Sequence, residues 1–347
     1  MNRNTIRWII AALMLLALTL GLSAPSIVEA EVLPLDFKEG GYPAKPGAWV
    51  FAEDGETPVS YEDSSIQVKV EKGEITLSVK GKNVKHETFV VRVKIQDVSQ
   101  LRTAASNDSY TGGPSEAEDM ARGKKAIVGM NGDYFKGGNR DAGYLVRQGE
   151  LIRDLTANKR RVFDMLLIDS AGDFHAIYSA ETANIDAYVA EHLTPQNRTI
   201  LDTFNLGPVL VKDGEVQDIT ASEAVRQGEY QWKYPQQRIA LVQTGELEYA
   251  IVEVYGKTDS SAGMDLQQFA EYVAEQCPGA LLAYNLDGGG STNLVITKYN
   301  DAYVEGSKNK KERDIVISKR ICKTPGHREI HDLIYFASAE PLNAAGD

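Results

Sequence analysis

The sequence predicts an α+β fold with mixed or antiparallel sheets, few helices and a single domain. Short segments in which apolar and polar residues alternate recur from residue 65 onward, and this pattern is typical of half-buried strands joined into hairpins. Only residues 265–277 have a convincing helical pattern, and a buried apolar run follows them directly. A chain of 347 residues, 43% of them hydrophobic, is long enough to bury a sizeable core.

The first thirty residues are predicted to be a signal peptide that is cleaved after Ala30. Arg3 and Arg7 give a positive start, and the apolar residues 8–22 are too few to span a membrane comfortably. Residues 28–30 then provide the small side chains that a signal peptidase reads. An uncleaved N-terminal anchor is the alternative. We therefore expect an exported protein with no stable membrane span after cleavage.

Charge and cysteine content bear on the partners of the protein. The net charge is −12 and no basic block is present, which argues against a nucleic-acid partner. The two cysteines, Cys277 and Cys322, either form a disulfide in an oxidising compartment or remain free thiols. Neither has a His or Cys at a metal-ligand spacing, so a zinc site through them is not expected.

The N-terminal part is predicted to be a tether followed by a β-hairpin region that packs on the main domain. Residues 31–60 are rich in Gly, Pro and Glu without a sustained period, which is typical of an irregular lead-in. Within residues 61–100, alternation on both sides of Lys72-Gly73 predicts a hairpin that turns there, and residues 88–95 continue as a third strand. We expect the main domain to cover residues 61–340.

The rest of the chain is predicted to contain short strands and a few helices. Ser115 followed by Glu118 resembles a capping box for a short helix that ends at Arg122. Asp265 and Gln268 form the same pattern at the start of the helix over 265–277. Strands are predicted at residues 126–130, 144–146, 165–168 and 174–178, and a short helix at residues 185–192. Residues 238–244 and 249–255 are predicted to form a second hairpin around Gly245.

Residues 280–295 are the most informative stretch of the sequence. The apolar run 280–284 predicts a strand buried on both faces, and it ends in Asn285, Leu286, Asp287 and three glycines. Glycines allow a positive φ and close approach to the backbone, and successive N–H groups in such a loop can hold an anion. A glycine-rich turn with a solvated Asp287 is the structural alternative. The polar residues that follow at 291–293 favour a functional site.

A second apolar run, residues 126–130, also ends in polar residues. Asn131, Gly132 and Asp133 follow it directly. If this strand and the strand at 280–284 are neighbours in a sheet, their two carboxylates converge. The spacing of Asn131, Asp133 and Asp141 does not match a calcium loop. We therefore predict no metal and no cofactor, with a structural divalent cation such as calcium as the alternative.

Arg238 begins a predicted strand and has two interpretations. It is either a solvated charge or the bidentate partner of a phosphate or carboxylate. The common catalytic motifs are absent: there is no dinucleotide fingerprint, no P-loop, no nucleophile elbow at Ser291 and no zinc-protease pattern. His331 beside Asp332 is more simply explained as a solvated or core histidine than as a ligand.

Four motifs, in this order and spacing, resemble the phosphodiester glycosidase family over residues 85–338. They are Asn131-Gly132-Asp133-Tyr134-Phe135, Asn205-Leu206-Gly207-Pro208 with the strand up to Gly214, Arg238-Ile239-Ala240-Leu241, and Asn285 to Thr292 with its three glycines. The chain departs from the family pattern at Gly132-Asp133, where a second glycine is typical, and at residues 239–242, where Thr-Ala-Val-Gly is typical. These departures affect the expected substrate more than the family.

The resemblance implies hydrolysis of a sugar phosphodiester at the anomeric carbon, with a carbohydrate phosphodiester as substrate. A phosphodiester leaves as a stable anion, so this reaction needs anion stabilisation more than a strong general acid. Asp287 is then the nucleophile or the base for a water, and Asp133 is the second carboxylate. Arg238 and the N–H groups of the glycine loop stabilise the anion.

The remaining residues are expected to bind substrate. They are Asn131, Gly132, Tyr134, Asn205, Gly207, Gly288, Gly289, Gly290, Ser291, Thr292 and Arg328, which fits the family's C-terminal arginine better than Arg313 does. The resemblance implies an N-acetylhexosamine-type substrate, and the export signal suggests that this substrate belongs to a cell-envelope glycan or a teichoic-acid-like polymer. The alternatives are a phosphodiesterase that breaks the P–O bond and a non-catalytic carbohydrate-binding module of the cell surface or envelope.

Overall fold

The framework of the computed structural model is formed by antiparallel strands in four sheets. The residues that the structure describes are 33, 39–79, 81–133, 143–158, 162–205, 207–222, 225, 232–256, 263–321 and 327–342. The predicted signal peptide, Tyr134, Asp141 and Cys322 lie outside them. Within them, no helix has the length and apolar character needed to cross a membrane.

The largest sheet has nine strands, in the order β1-β2-β3-β4-β15-β14-β16-β12-β13. Its strands are β1 (Trp49–Phe51), β2 (Pro58–Glu62), β3 (Ile66–Val79), β4 (Lys82–Ile95), β12 (Val209–Lys212), β13 (Glu215–Val216), β14 (Arg238–Gly245), β15 (Glu248–Val254) and β16 (Leu282–Asn285).

A second sheet of five strands has the order β18-β17-β6-β19-β5. Its strands are β5 (Leu101–Ala105), β6 (Ala126–Asn131), β17 (Leu294–Tyr299), β18 (Val316–Arg320) and β19 (Asp332–Ala337). Two smaller sheets pair β7 (Tyr144–Arg147) with β8 (Glu150–Asp154), and β9 (Met165–Asp169) with β10 (Phe174–Ile177) and β11 (Ile200–Phe204).

Four α-helices lie in the described part of the chain. They are α1 (Ala117–Lys124), α2 (Thr182–Tyr188), α3 (Leu266–Gln276) and α4 (Lys310–Arg313), and a π-helical turn, Val189–Leu193, follows α2. The prediction of an α+β fold with few helices is confirmed.

The two large sheets pack face to face, and each has a helix on its other face. Leu241 and Tyr284 of the larger sheet share one apolar cluster with Val128 and Phe336 of the smaller sheet. The second face of the larger sheet packs on α3. The second face of the smaller sheet packs on α1. Strand β16 is therefore buried on both faces, as its continuous apolar run predicted.

Helix α3 has the predicted capping box, but α1 does not. The Asp265 carboxylate accepts the Gln268 backbone N–H at 2.8 Å, and the Gln268 side chain accepts the Asp265 N–H. In α1 the N-cap is Glu116, and no side chain caps the helix. Ser115 pairs instead with Ile330 in a β-bridge, so its backbone is committed to strand pairing before the helix begins.

The first hairpin turns later than its pattern predicted. Strand β3 runs without interruption through Lys72-Gly73, and the turn lies at Gly81. The positions of the apolar residues shift by one between the two halves of β3, because each half buries a different face of the strand. Val68 in the first half packs in the core between the sheets, whereas Leu77 in the second half packs on the cluster that contains α3.

The predicted tether over residues 31–60 differs from the structure. Strands β1 and β2 form the edge of the larger sheet, and Trp49 is buried with its indole N–H donating to the Thr297 carbonyl at 2.7 Å. Three-residue β1 is too short for a periodicity to be visible in the sequence.

Candidate active site

The glycine loop carries the chain from one large sheet to the other. Strand β16 ends at Asn285 in the larger sheet, and β17 begins at Leu294 in the smaller one, where Leu294 pairs with Met130 of β6. The strands that precede Asp133 and Asp287, β6 and β16, therefore lie in different sheets and are not neighbours. From the sequence, the two carboxylates were expected to converge only if these strands were neighbours in one sheet. Their ends meet because the intervening loop crosses between packed sheets.

Side-chain amides join the two strand ends. The Asn131 side-chain N–H donates to the Asp287 carbonyl at 2.7 Å, and its side-chain oxygen accepts the Asn293 N–H at 2.9 Å. On the other side, the Asn285 side-chain N–H donates to the Gly207 carbonyl at 2.9 Å. These bonds satisfy backbone groups of segments that are not paired in either sheet.

The loop glycines allow close packing, and several N–H groups of the loop already have protein acceptors. A Cβ at Gly288 would lie 2.8 Å from the Gln237 carbonyl oxygen, and Gly289 has a φ of +61°. The Gly289 N–H donates to that carbonyl at 3.0 Å, and the Ser291 N–H donates to the Gly288 carbonyl at 3.2 Å. The predicted anion cradle is therefore already occupied by protein acceptors at these positions.

Asp287 is partly accessible and lies beside an arginine. Its side chain is 18% exposed, and its carboxylate oxygen is 4.0 Å from the nearest Arg328 guanidinium nitrogen. The Ser291 hydroxyl bonds to this carboxylate and accepts from the same guanidinium at 2.8 Å. Burial raises the pKa of Asp287 to about 6, although the Ser291 bond and the positive charge of Arg328 act to lower it.

Asp133 is more enclosed than Asp287. Its side chain is 1% exposed, and both carboxylate oxygens accept the Asn205 backbone N–H, at 2.9 and 3.0 Å. Arg147 lies 3.4 Å from it. Burial raises the pKa of Asp133 to about 7, against the charge of Arg147, and nearby Asp332 raises it further.

The two predicted arginines occupy different environments. Arg238 is 3% exposed, and its guanidinium donates to the Met264 carbonyl at 3.3 Å and to the Tyr234 carbonyl at 3.2 Å. The Arg328 side chain is 56% exposed, and its backbone N–H donates to the Gly290 carbonyl at 2.7 Å. Arg313, the rejected alternative, is the exposed last residue of helix α4.

The other predicted residues fall near the loop or outside the described chain. Thr292 is fully buried behind the loop, and Asn205 also donates its side-chain N–H to the Tyr144 carbonyl at 2.6 Å. Gly132 lies against Asp332, since a Cβ there would be 2.2 Å from its carboxylate oxygen. Tyr134 lies outside the described residues. Among the residues described, no group of three or more His, Cys, Asp or Glu side chains could hold a metal.

Arg147 and Asp332 are the residues that the sequence analysis missed. Their side chains are 1% and 0% exposed, and they form an ion pair of 2.7 Å directly behind Gly132 and Asp133. Arg147 ends a short apolar strand, as Asn131 and Asn285 do, and this shared position is the only signal in the sequence. Cys277 is buried and free, and its proposed partner Cys322 lies outside the described residues.

Comparison with solved structures shows the fold. The chain is similar to the catalytic domain of zebrafish N-acetylglucosamine-1-phosphodiester alpha-N-acetylglucosaminidase, auto-inhibited by its pro-peptide, with a TM-score of 0.55 and 16% identity over 89% of this chain and 98% of that chain. It is also similar to a hypothetical protein from Synechocystis, with a TM-score of 0.46 and 12% identity over 81% of this chain and 64% of that one. A search of curated protein sequences finds no match.

Comparison with family models shows which family the chain belongs to. The model described as phosphodiester glycosidase matches residues 124–336, more than half of the sequence, and this range contains every motif on which the resemblance was based. The chain therefore belongs to the phosphodiester glycosidase family, hydrolases that act on glycosyl phosphodiesters.

Proposed function

We propose that this enzyme cleaves the C–O bond between an anomeric carbon and the phosphate of a sugar phosphodiester, with Asp287 as the base that activates water. The observation that carries the proposal is that a partly accessible carboxylate, on the loop that joins the two sheets, lies beside one exposed arginine, Arg328. This pairing provides a base for water beside a cation for the leaving phosphate.

The difference in accessibility supports Asp287 as the acting carboxylate. A base must come within hydrogen-bond reach of the water that it deprotonates. Asp287 is 18% exposed, whereas Asp133 is 1% exposed and both of its oxygens accept a backbone N–H. We therefore assign the acting role to Asp287 and a supporting role to Asp133.

The greater exposure of the Arg328 side chain also supports Arg328, rather than Arg238, as the arginine that binds the phosphate. The guanidinium of Arg238 is buried against two carbonyl groups, whereas that of Arg328 reaches solvent while it holds the Ser291 hydroxyl. A guanidinium is suited to a phosphate because it offers planar, paired donors. Arg328 then lies between two negative groups, the phosphate and the Asp287 carboxylate, and it reduces the repulsion between them.

A single acting carboxylate favours inversion at the anomeric carbon. A retaining mechanism consumes one carboxylate as a covalent ester and needs another group to activate the water that breaks it. Inversion needs only a base for water when the leaving group is a phosphodiester anion that requires no strong general acid. With Asp133 enclosed, the proposed mechanism is one displacement by an Asp287-activated water.

The substrate proposal is an N-acetylhexosamine-type phosphodiester in a cell-envelope glycan or a teichoic-acid-like polymer. The name of the structurally similar zebrafish enzyme includes an N-acetylglucosamine-1-phosphodiester, which supports the sugar. The predicted signal peptide supports an exported enzyme that acts on envelope material. No cofactor is part of the proposed reaction.

Hydrolysis in oxygen-18 water tests the position of the broken bond. We expect the label in the sugar hydroxyl and not in the phosphate, together with an inverted anomer seen by proton NMR in the first minutes of the reaction. The substrates are aryl and nucleoside-diphosphate-linked N-acetylhexosamine phosphodiesters. Label in the phosphate would indicate a phosphodiesterase, and no turnover of any such substrate would indicate a binding module. Either outcome contradicts the proposal.

Replacement of the proposed base tests its role. Asp287→Asn removes the proton acceptor, so kcat is expected to fall by at least about 100-fold while the folded structure is retained. Because Asp287 acts in its ionised form and its pKa is raised to about 6, wild-type kcat/KM should fall tenfold per pH unit below that value. Asp301→Asn, in an exposed turn, is the matched control. Full activity of Asp287→Asn would end the assignment.

Removal of the exposed arginine tests phosphate binding. Arg328→Ala should raise KM by about 10- to 100-fold, since bonds between charged groups contribute roughly 1.5–3 kcal/mol. Arg328→Lys keeps the charge and should recover part of the affinity. Arg313→Ala, a second exposed arginine, should leave KM unchanged, and the comparison uses initial rates on one soluble aryl phosphodiester. Equal effects of the two alanine substitutions would contradict specific phosphate binding.

A further inference from the structure

We propose that Arg147 is a positioning residue for the reaction: through Asp133 and Asp332 it fixes the two chain segments that hold Asp287 in place. The inference rests on the proposed function of Asp287. It concerns a residue that makes no contact with the substrate and that carries its effect through three successive sets of hydrogen bonds.

The guanidinium of Arg147 is bound on every side. Its Nη2 atom lies 2.7 Å from the Asp332 carboxylate and 3.4 Å from the Asp133 carboxylate. Its Nη1 atom donates to the Val146 carbonyl at 2.9 Å and also to the Thr203 carbonyl. The face of the guanidinium lies 4.3 Å from the centre of the Phe204 ring, which adds a cation–π contact.

These contacts join three sheets at one point. Asp133 follows β6 and Asp332 begins β19, both in the five-stranded sheet. Thr203 belongs to β11 in the three-stranded sheet, and Arg147 itself ends β7 in the two-stranded sheet. A planar group with donors in fixed directions can link several acceptors at once, whereas a lysine ammonium on a flexible stem cannot fix them in the same plane.

The first link to Asp287 runs through the segment 131–133. The Asp332 carbonyl accepts the Gly132 N–H at 2.9 Å, and the Asp332 carboxylate accepts the Asp133 N–H at 3.1 Å. This segment begins with Asn131, whose side chain holds the Asp287 carbonyl. Fixing Asp332 with Arg147 therefore fixes the donor that holds Asp287.

The second link involves Asn205 and Gly207. The Asp133 carboxylate accepts the Asn205 N–H, and the Gly207 carbonyl accepts the Asn285 side chain two residues before Asp287. We call Arg147, Asp133 and Asp332 the Arg147 cluster. This cluster thus contacts the chain near the residues that hold the Asn285 side chain before Asp287 and the Asp287 carbonyl. A displacement of about 1 Å at a reacting group is enough to cost about 100-fold in rate.

Stability alone is a weak reason for this cluster. Replacing a buried ion pair by well-packed apolar residues is often neutral or stabilising, because the desolvation of the charges offsets their attraction. The Arg147 cluster places one guanidinium beside two carboxyl groups, all essentially buried, so it carries that desolvation cost. A gain in the positioning of Asp287 accounts for such an arrangement.

The test compares two buried arginines in the same fold. Arg147→Lys keeps the charge but loses the planar set of donors, so we expect kcat to fall by about 10- to 100-fold with KM changed by less than about threefold. Arg102→Lys is the matched control: Arg102 is 0% exposed in β5 and donates to the Gly40 carbonyl at 2.9 Å, away from the loop. It should lower the melting temperature with little change in kcat. Equal losses of kcat in both variants would show that Arg147 acts only through stability.

A double-mutant cycle tests the route. If Arg147 acts through Asn131, then Asn131→Ala combined with Arg147→Lys should lower kcat no further than the more damaging single change. Independent, multiplying losses would overturn the proposed route. If Arg147→Lys does not fold, Asp332→Asn replaces it in both comparisons, because this change removes the ion pair and keeps the side-chain shape.

A measurement without substrate separates this inference from the proposed function. Carbon-13 NMR of aspartate-labelled protein, with Asp287 assigned from Asp287→Asn, follows the titration of that carboxyl group. In Arg147→Lys a loosened loop admits water, so the pKa of Asp287 should move down from about 6 toward its ordinary value of about 4. An unchanged titration would overturn the inference, whereas failure of the enzyme to hydrolyse any phosphodiester would overturn only the function.

Discussion

The structure of the active site depends on one constraint: the chain must pass from one packed sheet to the other between Asn285 and Leu294. Both strands that flank this passage are buried, so the backbone groups between them have no strand partners and little water. The Asn131 side chain satisfies two of these groups, the Asp287 carbonyl and the Asn293 N–H. The same bonds that make the crossing stable also fix the orientation of Asp287.

Burial then separates residues of the same type into different roles. Asp133 and Asp287 both follow buried strands and both have a raised pKa, yet of the two only Asp287 is partly exposed to solvent. Arg238 and Arg328 differ in the same way. A protein core forces each enclosed charge to take protein partners, so the accessible member of each pair is the one left to act on a substrate.

Local patterns in the sequence predicted most of what lies within one strand or one helix. The double-sided burial of β16, the hairpin of β14 and β15, and the capping box of α3 all depend on neighbouring residues, and the structure has them as expected. The first hairpin was placed wrongly because its phase reversal has a tertiary cause. Strand β3 packs its two halves against different layers of the fold.

Relations between distant segments could not be predicted in this way. The sequence placed Asp133 and Asp287 at strand ends, but not in different sheets, since strand pairing is set by the whole fold. Arg147 was not predicted to belong to the site, because the sequence alone does not distinguish a buried arginine from a solvated one. The glycine loop was expected to present its N–H groups to an anion, but the loop's own carbonyls and those of residue 237 accept several of them.

The central claim is that substrate binds where the crossing loop exposes Asp287 beside Arg328. A crystal structure of the Asp287→Asn enzyme with an uncleaved N-acetylhexosamine phosphodiester tests this claim most directly. The account predicts the phosphate on the Arg328 guanidinium and the anomeric carbon facing the side chain of residue 287, with a water between them. A phosphate bound to Arg238 with Arg328 in solvent, or a sugar bound away from the loop, would contradict it.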